Sequence, residues 1–180
     1  MILDRAKTVR GAFAGVVAAG VWAAQQPLDK LAFGVTHDDT ELLGKAVTRG
    51  HAWPVVGMVM HLANGALFGA AYASLAPRLP LPSWSRGPIA ALAEHAVTWP
   101  LTITVERLHP ARDELPGLSG SRRALAQASW RHLVFGVVLG ELERRLNAPP
   151  DDDIPTFEHV VSSNGHGSLE HAEASSERSS

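Results

Sequence analysis

The feature that most constrains the fold is an apolar stretch in the middle of the chain, residues 52–76 (AWPVVGMVMHLANGALFGAAYASLA). It runs for 25 residues without an Asp, Glu, Lys or Arg, and four polar side chains interrupt it, those of His61, Asn64, Tyr72 and Ser74. A helix at a water interface needs a polar face, and this stretch has none. At about 1.5 Å per residue it is long enough to cross a bilayer core of about 30 Å. The stretch therefore predicts a transmembrane helix.

Three further helices are predicted, at about residues 11–26, 87–105 and 124–146. Pro100 is expected to kink the third helix, and the first helix either ends before Pro27 or continues with a kink to about Phe33. Asp38 has the position of a helix cap and predicts a short helix between the first two. The sequence thus predicts an all-α fold, a four-helix transmembrane bundle over residues 1–147, located in the cell inner membrane as a multi-pass protein. A soluble four-helix bundle is the alternative.

Composition excludes several classes of function. Residues 148–180 are rich in Ser, Glu, Gly and His without apolar periodicity, so they predict a disordered polar tail. The net charge of -2 gives no basic surface for nucleic acid, so the lipid bilayer is the expected partner. The chain has no cysteine, which excludes disulfides and thiolate chemistry. No Gly-rich nucleophile elbow is present. We therefore expect a protein that is not an enzyme, with no catalytic residues and no cofactor.

The sequence also contains an internal repeat. The motif HLxxGxxxG begins at His61 and again at His132, and an Arg-Gly pair precedes the first and third helices at Arg10 and Arg86. Such a repeat predicts two parallel helix hairpins related by an axis along the membrane normal. Glycines four residues apart let helices approach closely within a membrane, so these faces would pack the bundle or join copies in a homo-oligomer. A chance match in a Gly- and Ala-rich chain is the alternative.

Polar side chains interrupt the predicted helices at a similar depth, about 12–15 Å from a helix end and near the bilayer midplane. This predicted midplane cluster consists of His61, Asn64, Glu94, His95, Arg131 and His132. A charge at this depth costs at least about 2.5–3.5 kcal/mol, so these groups should face the bundle interior. There Glu94 and Arg131 would neutralise each other.

Three interpretations of the cluster remain open. In the first it is structural, with a Glu94–Arg131 pair and hydrogen bonds that hold the bundle together, as in a purely structural or interaction protein. In the second it lines a path for protons or a small solute, since histidine titrates near neutrality and Glu94 would relay protons. In the third, His61 and His132 bind a haem or a metal in a membrane redox subunit.

Several short motifs resemble the YagU-like family of small bacterial inner-membrane proteins. They are Ala14-Gly15 leading to Trp22, Pro27-Leu28, Phe68-Gly69-x-x-Tyr72, Trp99-Pro100, and His132 followed by Glu143-Arg144-Arg145. The chain departs from the family pattern at Gln26, where an acidic residue is expected, and Glu94-His95 has no assigned counterpart. The resemblance implies a multispanning membrane protein of largely uncharacterised physiology with a link to acid tolerance. It implies no catalytic residue.

Overall fold

The computed structural model describes residues 4–148, so the tail predicted for 148–180 lies outside the described residues except for Ala148. Within residues 4–148 the chain forms helices and no β-strand, which confirms the predicted all-α fold. The helices are α1 (Arg5–Phe33), α2 (Asp39–Val47), α3 (Trp53–Leu75), α4 (Ser83–Thr98), α5 (Thr102–Leu108) and α6 (Arg122–Leu146). Short 3-10 turns follow α3 and α4, at Ala76–Arg78 and Trp99–Leu101.

Two of the four predicted helices have the expected bounds and two do not. Both α3 and α6 begin and end within two residues of the predicted positions. Of the two predicted ends of the first helix the later one is observed, since α1 continues through Pro27 to Phe33, but its predicted start is wrong, since α1 begins at Arg5. Gly34 then ends α1 in the left-handed conformation at φ 65°. The predicted single helix over 87–105 is also wrong, since a 3-10 turn containing Pro100 divides it into α4 and α5.

The short helix predicted after Asp38 is present as α2. The Asp38 side chain accepts hydrogen bonds from the backbone amides of Thr40 and Glu41, which caps the helix. Helix α2 packs directly on α3, where a β-carbon at Gly44 would overlap the backbone of Trp53. The connection between α1 and α3 is therefore a packed part of the bundle.

The helices pack as two hairpins joined through α1 and α6. Helix α1 packs along α3, α4 packs along α6, and α1 also contacts α6, whereas α3 and α4 barely touch. Glycines bring the backbones of both hairpins together, Gly15 facing Gly65 on α3 and Gly87 facing Gly136 on α6. The two copies of the GxxxG motif thus make the same kind of contact within the chain. A homo-oligomer would have to form through another face.

Large apolar side chains lie on the outside of the bundle, and small ones fill its interior. Leu31 is 83% exposed, Val97 77% and Leu67 71%. The buried hydrophobic residues are mainly alanines, joined by a few larger ones such as Trp22 and Leu139. Among residues 4–148, one helical segment, Trp53–Arg78, has the length and composition to cross a membrane.

An exposed ion-pair cluster ties α2 to the loop before α6. Lys45 lies 2.7 Å from Glu114, and Arg49 also pairs with this carboxylate. Hydrogen bonds from Lys45 and Arg49 lower the pKa of Glu114 to about 2 from its ordinary value of 4.5. Because the folded pKa is the lower one, the contribution of Glu114 to stability is present above pH 4.5 and is lost as the pH falls towards 2.

We therefore expect Glu114→Gln to lower the thermal midpoint slightly at pH 7, and to lower it less as the pH falls from 4 to 2. The measurement is thermal unfolding of both proteins across this pH range. Asp113→Asn is the matched control, since this neighbouring side chain is 86% exposed and lies 3.8 Å from Arg112. An equal shift at all pH values would contradict the role given to Glu114.

Candidate functional site

A fully buried arginine joins the two hairpins. Arg131 on α6 bonds both oxygens of Asp29 on α1, with Nε–Oδ2 2.7 Å and Nη2–Oδ1 2.6 Å. Its Nη1 donates to Oδ2 of Asp39 at 2.6 Å, and Nη2 also donates to the His37 carbonyl at 3.0 Å. All three guanidinium nitrogens are therefore engaged. The expected pairing of Arg131 with Glu94 is wrong, because Asp29 and Asp39 are its partners.

Further hydrogen bonds complete this Asp29–Arg131 network. Gln127 donates to Oδ1 of Asp29 at 2.7 Å, and Gln25 donates to Oδ2 at 2.8 Å. The indole N–H of Trp22 donates to Oδ2 of Asp39 at 3.0 Å. Within residues 4–148, no buried side-chain polar atom lacks a hydrogen-bond partner. The network holds α1, α2 and α6 in one fixed arrangement, and a satisfied buried network of this kind rigidifies a fold.

A cavity of about 240 Å³ lies beside this network. Side chains of α1, α2, α3, α4 and α6 line it. Its polar lining consists of Asp39, His61, Asn64, Glu94 and His132. Its apolar lining includes the aromatic rings of Trp22, Phe68 and Phe135. Asp39 belongs both to the cavity wall and to the Asp29–Arg131 network, so the two features share one carboxylate.

His132 and Glu94 contact each other on the cavity wall. His132 Nδ1 lies 2.8 Å from the Ala128 carbonyl oxygen, and its Nε2 lies 3.2 Å from Oε2 of Glu94. A carbonyl oxygen only accepts hydrogen bonds, so Nδ1 carries a proton. One further proton, on Nε2 of His132 or on Glu94, would join the two groups by a hydrogen bond. This Glu94–His132 pair is neutral as a whole when it holds that proton.

Aromatic contacts fix the other imidazoles. His95 stacks on His132 with ring centroids 4.3 Å apart, and its Nε2 lies 3.1 Å from Oγ of Ser129. His61 contacts the Ala19 carbonyl through Nε2 at 3.1 Å. Burial of these rings against neighbours sets their orientation, so the histidines are positioned by packing rather than free to rotate.

Trp22 contacts the two histidines considered as haem or metal ligands. Its ring centroid is 5.5 Å from that of His61 and 4.6 Å from that of His132. Among the residues that the structure describes, no group of three or more His, Asp or Glu side chains is placed to hold a metal ion.

The structure gathers most of the predicted midplane cluster. His61, Asn64, Glu94 and His132 line the cavity, and His95 supports His132 from behind. Arg131 is on α6, the helix that also carries His132, but its side chain belongs to the Asp29–Arg131 network instead of the cavity lining.

Sequence reasoning missed Asp29, Asp39 and Trp22. Asp29 had one usable signal, since it stands among apolar residues close to the predicted first helix. No sequence signal marked Asp39, because it lies beside the helix cap Asp38 and resembles an ordinary acidic residue in the first turn of a helix.

The fold and site define an α-helical bundle with a polar cavity among five helices. No family model, curated protein or solved structure matches this chain. The geometry of the site is therefore the basis of the functional proposal.

Proposed function

We propose that the chain is a multi-pass integral membrane protein whose cavity serves the movement of protons or of a small solute. The observation that carries this proposal is the reversed distribution of side chains. Charged and amide groups such as Arg131, Asp29 and Gln127 are buried, and branched apolar groups such as Leu67 and Val97 are exposed. A bilayer surrounds such an exterior favourably, whereas water does not.

Helix α3 supports this proposal most directly. Only 28% of its most apolar window is buried within the bundle. The core helix of a soluble protein would bury such a segment against its neighbours. Here it faces outward, as a lipid-facing helix does.

The other spans of the proposal are α1, α4 with α5, and α6. Polar residues lower their mean hydropathy, for example Gln26 and Asp29 in α1 and Gln127 and Arg131 in α6. These side chains are buried in the bundle, where Asp29 accepts hydrogen bonds from Gln127 and Arg131. A membrane helix with an inward polar face fits this pattern, because ionisable residues within a span usually face the bundle interior.

The cavity supports the proton-linked part of the proposal. Glu94 and His132 lie 3.2 Å apart on the cavity wall, and carboxylate and imidazole groups inside a membrane bundle are the groups that relay protons. Three residues that carry the YagU-like resemblance, Trp22, Phe68 and His132, line the same cavity. The link of that family to acid tolerance agrees with a proton-linked role. A purely structural bundle would need no cavity lined by titratable groups.

The membrane assignment predicts that the protein sediments with membranes and leaves them only in detergent. Salt and alkaline carbonate, which strip peripheral proteins, are expected to release none of it. Fractionation followed by immunoblotting of a tagged full chain measures this. Recovery of folded protein from the soluble fraction without detergent would support the soluble-bundle alternative and contradict the proposal.

The proton-linked role predicts that Glu94→Gln lowers proton flux about tenfold or more in proteoliposomes. The measurement is acidification of an entrapped pH dye after a potassium diffusion potential is imposed with valinomycin. Glu141→Gln is the matched control, because this carboxylate pairs with Arg144 and Arg145 at the end of α6, away from the cavity. If wild-type flux equals that of protein-free vesicles, the proton-linked role is wrong.

A further inference from the structure

The walls of the cavity favour positive charge. Two carboxylates line it, those of Asp39 and Glu94, and no Lys or Arg is among its lining residues. Three aromatic rings also line it, those of Trp22, Phe68 and Phe135. Aromatic faces attract cations, and cages of such rings recognise quaternary ammonium groups. The cavity therefore suits a small organic cation and disfavours an anion.

The two carboxylates differ in what already holds them. Oδ2 of Asp39 accepts from Arg131 and Trp22, and Oδ1 contacts Nε2 of His37 at 3.2 Å. Among residues 4–148, Glu94 forms an ion pair with His132 alone, and its side chain is 40% exposed. Glu94 is thus the carboxylate that can exchange its partner for a ligand.

Four titratable groups surround Glu94. His132 faces it from α6, His61 lies across the cavity on α3, and Asp39 lines the wall from α2. His95, on the same helix as Glu94, stacks on His132. A cation arriving beside Glu94 would meet a protonated His132 at close range, and like charges at this distance repel. The cation and the shared proton therefore compete for one carboxylate.

We propose that the cavity binds a small organic cation of the amine class in exchange for the proton of the Glu94–His132 pair. This inference rests on the proposed solute-linked function and names its substrate class. No covalent bond changes. The proton leaves Nε2 of His132 or Oε2 of Glu94 for solvent, and the cation takes its place beside the ionised carboxylate. The net charge of the site is the same before and after the exchange.

The test uses the full chain in detergent and benzyltrimethylammonium, a cation with no titratable proton of its own. Calorimetry in weak buffer with a pH indicator measures binding and proton release together. We expect about one proton released per cation bound, and affinity that falls as the pH is lowered. Benzyl alcohol should bind at least about tenfold more weakly, and benzenesulfonate should show no binding.

Variants locate the exchange at Glu94. Glu94→Gln is expected to abolish proton release and to lower the affinity for the cation about tenfold. Glu94→Asp should keep both the proton release and the affinity of the wild type. Glu141→Gln, away from the cavity, should change neither the proton release nor the affinity. Phe68→Leu leaves the Glu94–His132 pair intact, so it should weaken cation binding while keeping one proton released per cation. This variant keeps the test decisive if Glu94→Gln does not fold.

Two results would overturn the inference: benzenesulfonate binding as tightly as the cation, or cation binding without proton release. The result of this binding experiment can be distinguished from the result of the flux experiment that tests the proposed function. Cation binding with proton release but no flux in proteoliposomes would support the exchange site and contradict the transport role. Proton flux without any cation binding would support the transport role and contradict the exchange site.

Discussion

Replacing Arg131 with Leu is expected to destabilise the bundle by about 3–5 kcal/mol, the cost of leaving a buried charge without its partner. The side chain is fully buried, and its loss leaves Asp29, also buried, without a cation. The measurement is reversible unfolding in mixed micelles, followed by circular dichroism. A loss below about 1 kcal/mol would mean that the Asp29–Arg131 network does not hold the hairpins together.

A double-mutant cycle identifies the partner. Asp29→Asn with Arg131→Leu should cost at least about 1 kcal/mol less than the sum of the single changes, because both charges are removed together. Glu94→Gln with Arg131→Leu should be additive within about 0.5 kcal/mol, since Glu94 pairs with His132. Coupling between Glu94 and Arg131, together with additivity between Asp29 and Arg131, would support the Glu94–Arg131 pair expected from sequence instead.

Adding a single methyl group at Gly15 is expected to destabilise the first hairpin by about 3 kcal/mol or more. A β-carbon there would overlap the carbonyl oxygen of Gly65, and both atoms belong to helix backbones that cannot move aside independently. To relieve this overlap, α1 and α3 would have to move apart along their length. Unfolding in mixed micelles measures the cost.

Gly20→Ala is the matched control on the same helix. A β-carbon at Gly20 meets nothing within 4 Å, so the change should be neutral or should stabilise α1 by about 0.5–1 kcal/mol. Equal effects at Gly15 and Gly20 would show that helix propensity, and not close packing, sets the cost.

Local sequence signals were sufficient for the helices whose ends they mark. The charge-free run that became α3 is bounded by Pro54 near its start and Pro77 just after its end, and it was placed almost as observed. Pro100 correctly marked the interruption between α4 and α5. Pro27 left the end of the first helix undecided, because a proline inside a helix removes one hydrogen bond without necessarily ending the helix. In α1 the contacts to α6 continue on both sides of it, at Gln25 and at Asp29.

The site was only partly accessible to the same reasoning. The distance of each residue from its helix end correctly predicted that His61, Glu94 and His132 lie at a similar height in the bundle, because the rise per residue of an α-helix is fixed. Depth does not determine which helices are neighbours. Helix α6 packs on α1 as well as on α4, so Arg131 reached Asp29 rather than Glu94. That choice depends on tertiary packing, which no local pattern encodes.

The separation between Asp29 and Arg131 has a consequence for biosynthesis. The two residues are 102 positions apart, and Arg131 lies on α6, which is made after all the other helices within residues 4–148. Until α6 is made, the first hairpin carries a carboxylate that has no cation to neutralise it. The ion pair therefore forms only once α6 has been made: we expect chains that stop before α6 to keep an uncompensated carboxylate and to be degraded faster than chains that contain α6.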